Sequence, residues 1–197
     1  MPLGDSYTIC TGATEKESWP YLLSGHLNAE GISCRLLANP ARNGFSTQDL
    51  ISQELPLLKT LKPDLVTLLI GVNDWVREVP KAVFEKNLNY ILDEVQGALP
   101  DKQKIILITI PDFGVTPQGK QFGYGRDTHR GISEFNSLIR LQAQKRRLPL
   151  VDLFELSQQM GSDPSLVAAD GLHPSAKEYA IWEKKVLPEA IKLLKEP

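Results

Sequence analysis

The fold class this sequence predicts is α/β, a parallel sheet covered by helices, and three observations predict it. Apolar runs of strand length alternate with longer stretches of 3.6-residue periodicity along the whole chain. Turn signals such as Lys62-Pro63-Asp64 and Gly71 bracket those runs. The clearest run, residues 65–70, is apolar almost throughout rather than alternating, which marks a strand buried on both faces. No repeat, linker or low-complexity segment interrupts the 197 residues, and 42% of them are hydrophobic. One domain spanning 1–197 with a sizeable core is therefore expected.

The elements follow in order. Met1-Pro2-Leu3 leaves room only for a stub of a first strand, because Pro2 has no N–H for a ladder. Ser18 caps the next helix with Pro20 in its first turn; Trp19, Leu22, Leu23, His26 and Leu27 share one face, so His26 reads as packed, and Gly31 ends the helix. Residues 35–38 read as the second strand, the polar stretch 39–44 as a turn, and Ser46 or Thr47 as the following cap. The third strand is 65–70. Pro80 opens a helix whose Phe84, Leu88, Ile91, Val95 and Leu99 keep core spacing.

Residues 105–110 make the fourth strand. The segment 111–127 is too long for a plain connector, and its Phe113, Phe122 and Tyr124 suggest a functional or mobile loop. A helix is expected over 131–147, where Lys145-Arg146-Arg147 reads as a solvated end that suits the helix dipole. The fifth strand is 150–153. A last helix from Ser175 turns Tyr179, Trp182 and Val186 inward, and Pro188 is predicted to kink or restart it.

Composition excludes several classes. A formal charge of −2 supplies no field to hold nucleic acid or an anionic membrane. The longest apolar run falls far short of the ~20 residues a membrane helix needs. No charged and then apolar leader precedes Gly4, so a cytoplasmic location is expected. Cys10 and Cys34 form neither a metal-ligand spacing nor a disulfide framework and read as small buried hydrophobes.

Ligands of open parallel sheets bind beyond the carboxyl ends of the strands, where strand order reverses. Four segments fall on that edge: Gly4-Asp5-Ser6, Asn43-Gly44, Gly71-Val72-Asn73-Asp74 and Asp170-Gly171-Leu172-His173. In a flavodoxin-like order 2-1-3-4-5, the second and third strands flank the first and set Gly44 and Asn73 on either side of Ser6. Ser6 offers a hydroxyl and an N–H at a helix start, Gly44 an N–H that a substrate can approach closely, and Asn73 a fixed neutral donor. Asp170, three residues before His173, can hold the imidazole tautomer that leaves the other ring nitrogen free for Ser6. Asp5 and Asp74 read as loop-holding carboxylates.

These blocks, with Pro174 after the histidine, resemble the ordered motifs of the SGNH, or GDSL-type, hydrolase superfamily across nearly the whole chain. The resemblance implies a three-layer α/β/α fold, no metal or cofactor, and hydrolysis of carboxylic esters, thioesters or acetylated sugars. It implies Ser6 as nucleophile, His173 as base, Asp170 as its partner, and Ser6, Gly44 and Asn73 as oxyanion donors. The family places a full strand before its Gly-Asp-Ser, so this chain is expected to carry five strands with a shortened first one.

Residues 11–17, 75–79 and 111–127 are the expected walls, with Trp75, Phe113 and Tyr124 against the substrate. No lid-sized insertion is present, which points to a shallow site for a small ester with a short acyl chain. A lysophospholipase or thioesterase is the alternative within the family. Outside it stands a flavodoxin-like phosphate- or nucleotide-binding module using Thr11-Gly12-Ala13-Thr14. Monomer and dimer are both open.

Overall fold

The computed structural model describes residues 1–195. Its sheet has four parallel strands in the order β1-β2-β3-β4: β1 Pro2–Gly4, β2 Val66–Leu69, β3 Ile105–Ile108 and β4 Leu150–Val151. The register sets Leu3 beside Leu68, Val66 beside Ile105 and Leu107 beside Leu150. Every side chain of β2 and β3 is buried, which is why their sequences are apolar without alternation but for Thr67.

The helices, in chain order, are α1 Ser6–Ile9, α2 Trp19–Ala29, α3 Thr47–Gln53, α4 Leu55–Leu61, α5 Val72–Val76, α6 Lys81–Ala98, α7 Gly119–Phe122, α8 Thr128–Arg146, α9 Phe154–Ser157 and α10 Ala176–Lys195. α2 packs on α10 as one outer layer, and α6 packs on α3, α4 and α8 as the other, giving the three-layer α/β/α build. Phe84, Leu88, Ile91 and Val95 of α6 are buried as their spacing requires.

The expected second strand, at 35–38, is missing, which leaves four strands instead of five: those residues have no ladder on β1. The edge of β1 explains it. Alternate residues of a strand turn their N–H groups to opposite edges, and the Met1 carbonyl already accepts from Thr67 on the β2 side at 3.2 Å. Pro2 and Gly4 therefore face outward. Pro2 has no N–H, and the Gly4 N–H donates to the Glu54 carboxylate at 3.0 Å, so no backbone donor remains on that edge for a further strand. Residues Cys34, Arg35 and Leu36 run past this edge across a cavity of about 110 Å³.

Other departures have local causes. α8 starts before Gly131 because the Asp127 side chain caps it, accepting from the Arg130 N–H at 3.0 Å. His26 is not packed; it is half exposed, with Nδ1 3.0 Å from the buried Glu183 of α10. Arg146 is no solvated helix end, since its guanidinium bonds Asp93 and Gln96 of α6 at 2.7 Å each. α10 runs through Pro188 without a break. Ser46 is the cap of α3, in a reciprocal box with Asp49. No described helix is long and apolar enough to cross a membrane.

Candidate active site

Ser6 is the first residue of α1. β1 ends at Gly4, and Asp5 caps the helix by accepting the Tyr7 N–H at 3.0 Å. The Asp5 carbonyl accepts from Thr8 and Ile9 at 3.0 Å each, so the turn after the strand is fixed from both sides. As a first helical residue Ser6 has no intrahelical acceptor for its N–H. Its side chain is 6% exposed.

The second strand's absence does not displace Gly44. Its φ of +81° lies in the region that favours glycine, while a Cβ there would meet only the Arg77 guanidinium at an ordinary 3.5 Å, so conformation rather than space demands the residue. Arg77 braces the loop by donating to the Gly44 carbonyl at 2.6 Å and to the Asp49 carboxylate at 3.1 Å. Asn73, on α5, donates its amide nitrogen to the Phe45 carbonyl at 2.9 Å. A carbonyl can only accept, so this bond fixes the NH₂ end and leaves that nitrogen a second N–H. Asp74 next to it is buried and accepts the Thr47 N–H at 2.8 Å and the Thr47 hydroxyl, fastening α5 to α3.

His173 sits in a tight turn of the loop before α10. The Asp170 Oδ1 accepts the N–H groups of Leu172 and His173 at 2.9 Å each, and its Oδ2 lies 2.6 Å from His173 Nδ1. The carboxylate can only accept, so Nδ1 carries the proton and Nε2 is free. Partial burial acts against the Asp170 charge, but the Leu172 N–H, the imidazole and the His173 N–H outweigh it and hold the carboxyl below its usual range. Gly171 has a φ of +72°, and the Gly171 carbonyl accepts the Gln118 N–H at 2.9 Å.

Ser6, Gly44, Asn73 and His173 line one open cleft of about 420 Å³, with Tyr7, Val72, Arg77, Phe113 and Tyr124 among its other walls. The His173 side chain is 16% exposed, and its ring meets Tyr7 edge-on at 6.0 Å between centroids. Among the described residues Ser6 and His173 make no direct hydrogen bond; they face the same cavity. Free sites of this type often tighten only around substrate.

Two expectations change here. Trp75 does not line the cleft. It is 7% exposed, edge-on to Phe113 at 5.8 Å, with the Arg126 guanidinium 4.2 Å over its ring and the bare backbone of Gly131 behind it. It backs the wall that Phe113 presents. The Thr11-Gly12 stretch is no open phosphate cradle either: a Cβ on Gly12 would come within 2.5 Å of Ala168 and 2.9 Å of the Pro174 carbonyl. The Thr11 carbonyl accepts the Tyr179 hydroxyl at 3.0 Å.

Sequence reasoning missed Arg77, whose partners Gly44 and Asp49 lie 33 and 28 residues away with no local signal linking them. It also missed a second histidine-carboxylate pair. His129 Nδ1 lies 2.7 Å from the buried Asp112, whose other oxygen accepts the Gly114 N–H at 3.2 Å. That pair ties the wall segment to α8, and the bond to Asp112 raises the imidazole's pKa. No group of three or more metal-ligating side chains occurs among the described residues.

Comparison with known proteins agrees with this architecture. Residues 3–181 match the GDSL-like lipase/acylhydrolase family. The esterase TesA of Pseudomonas aeruginosa is 26% identical over 178 residues, covering 89% of this chain and 79% of that protein. A multidomain esterase of Ruminococcus flavefaciens is 30% identical over 122 residues, which are 62% of this chain but only 15% of that larger protein. The crystal structure of TesA superposes with a TM-score of 0.78 at 26% identity, over 98% of both chains. With a match that runs from β1 into α10, the chain belongs to the GDSL-like lipase/acylhydrolase family.

Proposed function

We propose that this ester-hydrolysing chain is a serine hydrolase of short-chain acyl esters, working through Ser6, His173 and Asp170. The observation that carries the reading is the single cleft shared by Ser6, Gly44, Asn73 and an imidazole whose tautomer Asp170 fixes. Ser6 Oγ attacks the ester carbonyl while His173 Nε2 takes its proton, and the negative charge that moves to the carbonyl oxygen meets the N–H groups of Ser6, Gly44 and Asn73. Collapse expels the alcohol, which receives that proton from His173 and leaves Ser6 acylated. Water, deprotonated by the same nitrogen, then attacks the acyl carbonyl and releases the acid and the Ser6 hydroxyl.

A fluorophosphonate tests the assignment. One equivalent is expected to attach covalently, with the adduct located on Ser6 by peptide mass spectrometry. A label elsewhere, or none, removes Ser6 as nucleophile.

The acyl preference follows from size. A cleft of about 420 Å³ lies near the lower end of small-molecule sites, roughly 300–1,000 Å³. Val72, Val76, Phe113 and Leu172 give the lining apolar surface for a short acyl chain, while Asn43 and Arg77 add polar groups to it. p-Nitrophenyl acetate and butyrate are expected to exceed the palmitate ester at least about tenfold in kcat/KM, as an acyl chain that overruns the cleft leaves its extra methylenes in water. A preference for palmitate would contradict this reading and favour a lysophospholipase-like one.

A further inference from the structure

The loop that carries Gly44 has no sheet to hold it. Residues 33–45 join no strand, and among the described residues one bond between main-chain groups involves them, from the Phe45 N–H to the Arg42 carbonyl at 3.2 Å. Backbone without such partners keeps its geometry only through side chains that bond it. The Gly44 N–H makes no bond within the described residues, as a donor reserved for a developing oxyanion must.

The side-chain bonds of this loop run in two directions. Towards α1, Asn43 accepts the Thr11 hydroxyl on its side-chain oxygen, and Asn39 donates to the Thr8 carbonyl at 2.8 Å. Towards α5, the Phe45 carbonyl meets Asn73, Thr47 meets Asp74, and the Gly44 carbonyl and Asp49 share Arg77. α5 is itself fixed. Arg126 donates to the carbonyls of Trp75 and Val76 at 2.9 Å each, and Asn87 of α6 donates to the Thr47 hydroxyl at 2.9 Å. Of all these bonds, only the one from Arg77 ends on Gly44.

We propose that Arg77 is a positioning residue for ester hydrolysis: it stands in for the absent strand by holding Gly44 so that the N–H of that residue stays aimed at the substrate oxygen. The role rests on the reading of Gly44 as an oxyanion donor to an ester attacked by Ser6. A glycine at φ +81° has no side chain to limit its rotation, so a bond to its carbonyl is the direct restraint on its orientation. Freed from it, the donor would spend part of its time away from the position where charge develops.

The geometry suits an arginine. Its planar fork sends Nη1 to Asp49 at 3.1 Å and Nη2 to the Gly44 carbonyl at 2.6 Å, so one rigid group spans from the first turn of α3 to the loop. Asp49 is a charged anchor: the Ser46 N–H above all, then the Ser46 hydroxyl and Arg77, hold its carboxyl below the usual range against partial burial. Arg77 also lies four residues after Asn73, one turn along the same face at the end of α5. One short helix thus sets both the Gly44 and the Asn73 donors, and neither drifts without the other.

Arg77→Met keeps an unbranched stem and removes both bonds. Arg77 is half exposed and Asp49 a third exposed, so Tm is expected to stay within about 4 °C of wild type. kcat for p-nitrophenyl acetate is expected to fall about 10–100-fold with KM within about threefold, because a displaced donor weakens the transition state and not the bound ester. Fluorophosphonate labelling makes the same demand, since its phosphoryl oxygen gains charge as Ser6 attacks and fluoride leaves. Its rate should fall by about the same factor as kcat/KM, while the completed reaction still places one label on each chain. Arg77→Lys keeps a donor for the Gly44 carbonyl but cannot span both anchors, so its kcat should lie between those of R77M and wild type.

Each alternative outcome overturns the proposal in its own way. A kcat of R77M within threefold of wild type means that Gly44 needs no brace, and a loss confined to KM makes Arg77 a substrate contact. Incomplete labelling at an unchanged rate means that the substitution only unfolds part of the sample. R77K no faster than R77M means that the bond to the Gly44 carbonyl is not what matters. A wild type that takes no label at Ser6 overturns the serine-hydrolase reading and this role with it, whereas a wild type labelled at Ser6 and an R77M that labels as fast overturn the positioning role alone.

Discussion

Ser6→Ala is expected to lower kcat for a p-nitrophenyl ester by roughly 10⁴–10⁶ while leaving Tm within about 2 °C of wild type. Both halves come from the same local structure. The turn that presents Ser6 is held by the Asp5 carboxylate and carbonyl, which bond the N–H groups of Tyr7, Thr8 and Ile9, and by the Glu54 carboxylate on Gly4. None of those bonds involves the Ser6 hydroxyl. Removing it deletes one small, nearly buried oxygen at a helix start and leaves the cap in place, so the fold loses little. The reaction loses its attacking atom. What should remain is the stabilisation that the N–H groups and the cleft provide to direct attack by water. Steady-state kinetics and a thermal melt on one preparation check both numbers, and turnover within tenfold of wild type would reassign the nucleophile.

The parts of this fold that were legible in the sequence are those governed by local rules. β2 and the α6 stripe were readable because burial on both faces gives an unbroken apolar run and burial on one face gives a 3.6-residue period. The cap at Ser46 was readable because a hydroxyl and a carboxylate three residues apart satisfy each other's backbone. The edge strand was misread because 35–38 has the right composition, while the reason it fails lies elsewhere: the outward residues of β1 are a proline, which has no N–H, and a glycine whose N–H is already claimed by Glu54. Trp75 was placed in the cleft because it follows Asn73 in sequence, yet the glycine at position 131 of α8 opens a slot that draws the indole behind Phe113. Glu54 gave no signal at all, since an acidic residue between two short helices reads as surface. The candidate site was legible where neighbouring residues act together, as in Asp170 to His173. It was not legible where the acting pair meets only through folding, as Arg77 does with Gly44.

Asp170→Asn is expected to lower kcat by about 10⁴ with much less change in KM. An asparagine can keep its oxygen on the N–H groups of Leu172 and His173, where Oδ1 now accepts at 2.9 Å, so the turn survives. Its nitrogen then takes the place of Oδ2, 2.6 Å from His173 Nδ1. That nitrogen can only donate, so the imidazole must present a lone pair at Nδ1 and carry its proton on Nε2, where it cannot accept one from Ser6. The ring stays in place with the wrong tautomer. Stability supplies an independent check. Although burial acts against it, the Leu172 N–H and the imidazole keep the folded Asp170 carboxyl below its usual range. Its contribution is thus present above the ordinary carboxylate pKa and lost as pH falls through the lower folded value. The Tm deficit of D170N should therefore shrink as the medium is acidified through the carboxylate range. A deficit that stays constant across it would mean that Asp170 is a passive turn former, and a kcat within tenfold of wild type would mean that His173 does not depend on it for its tautomer.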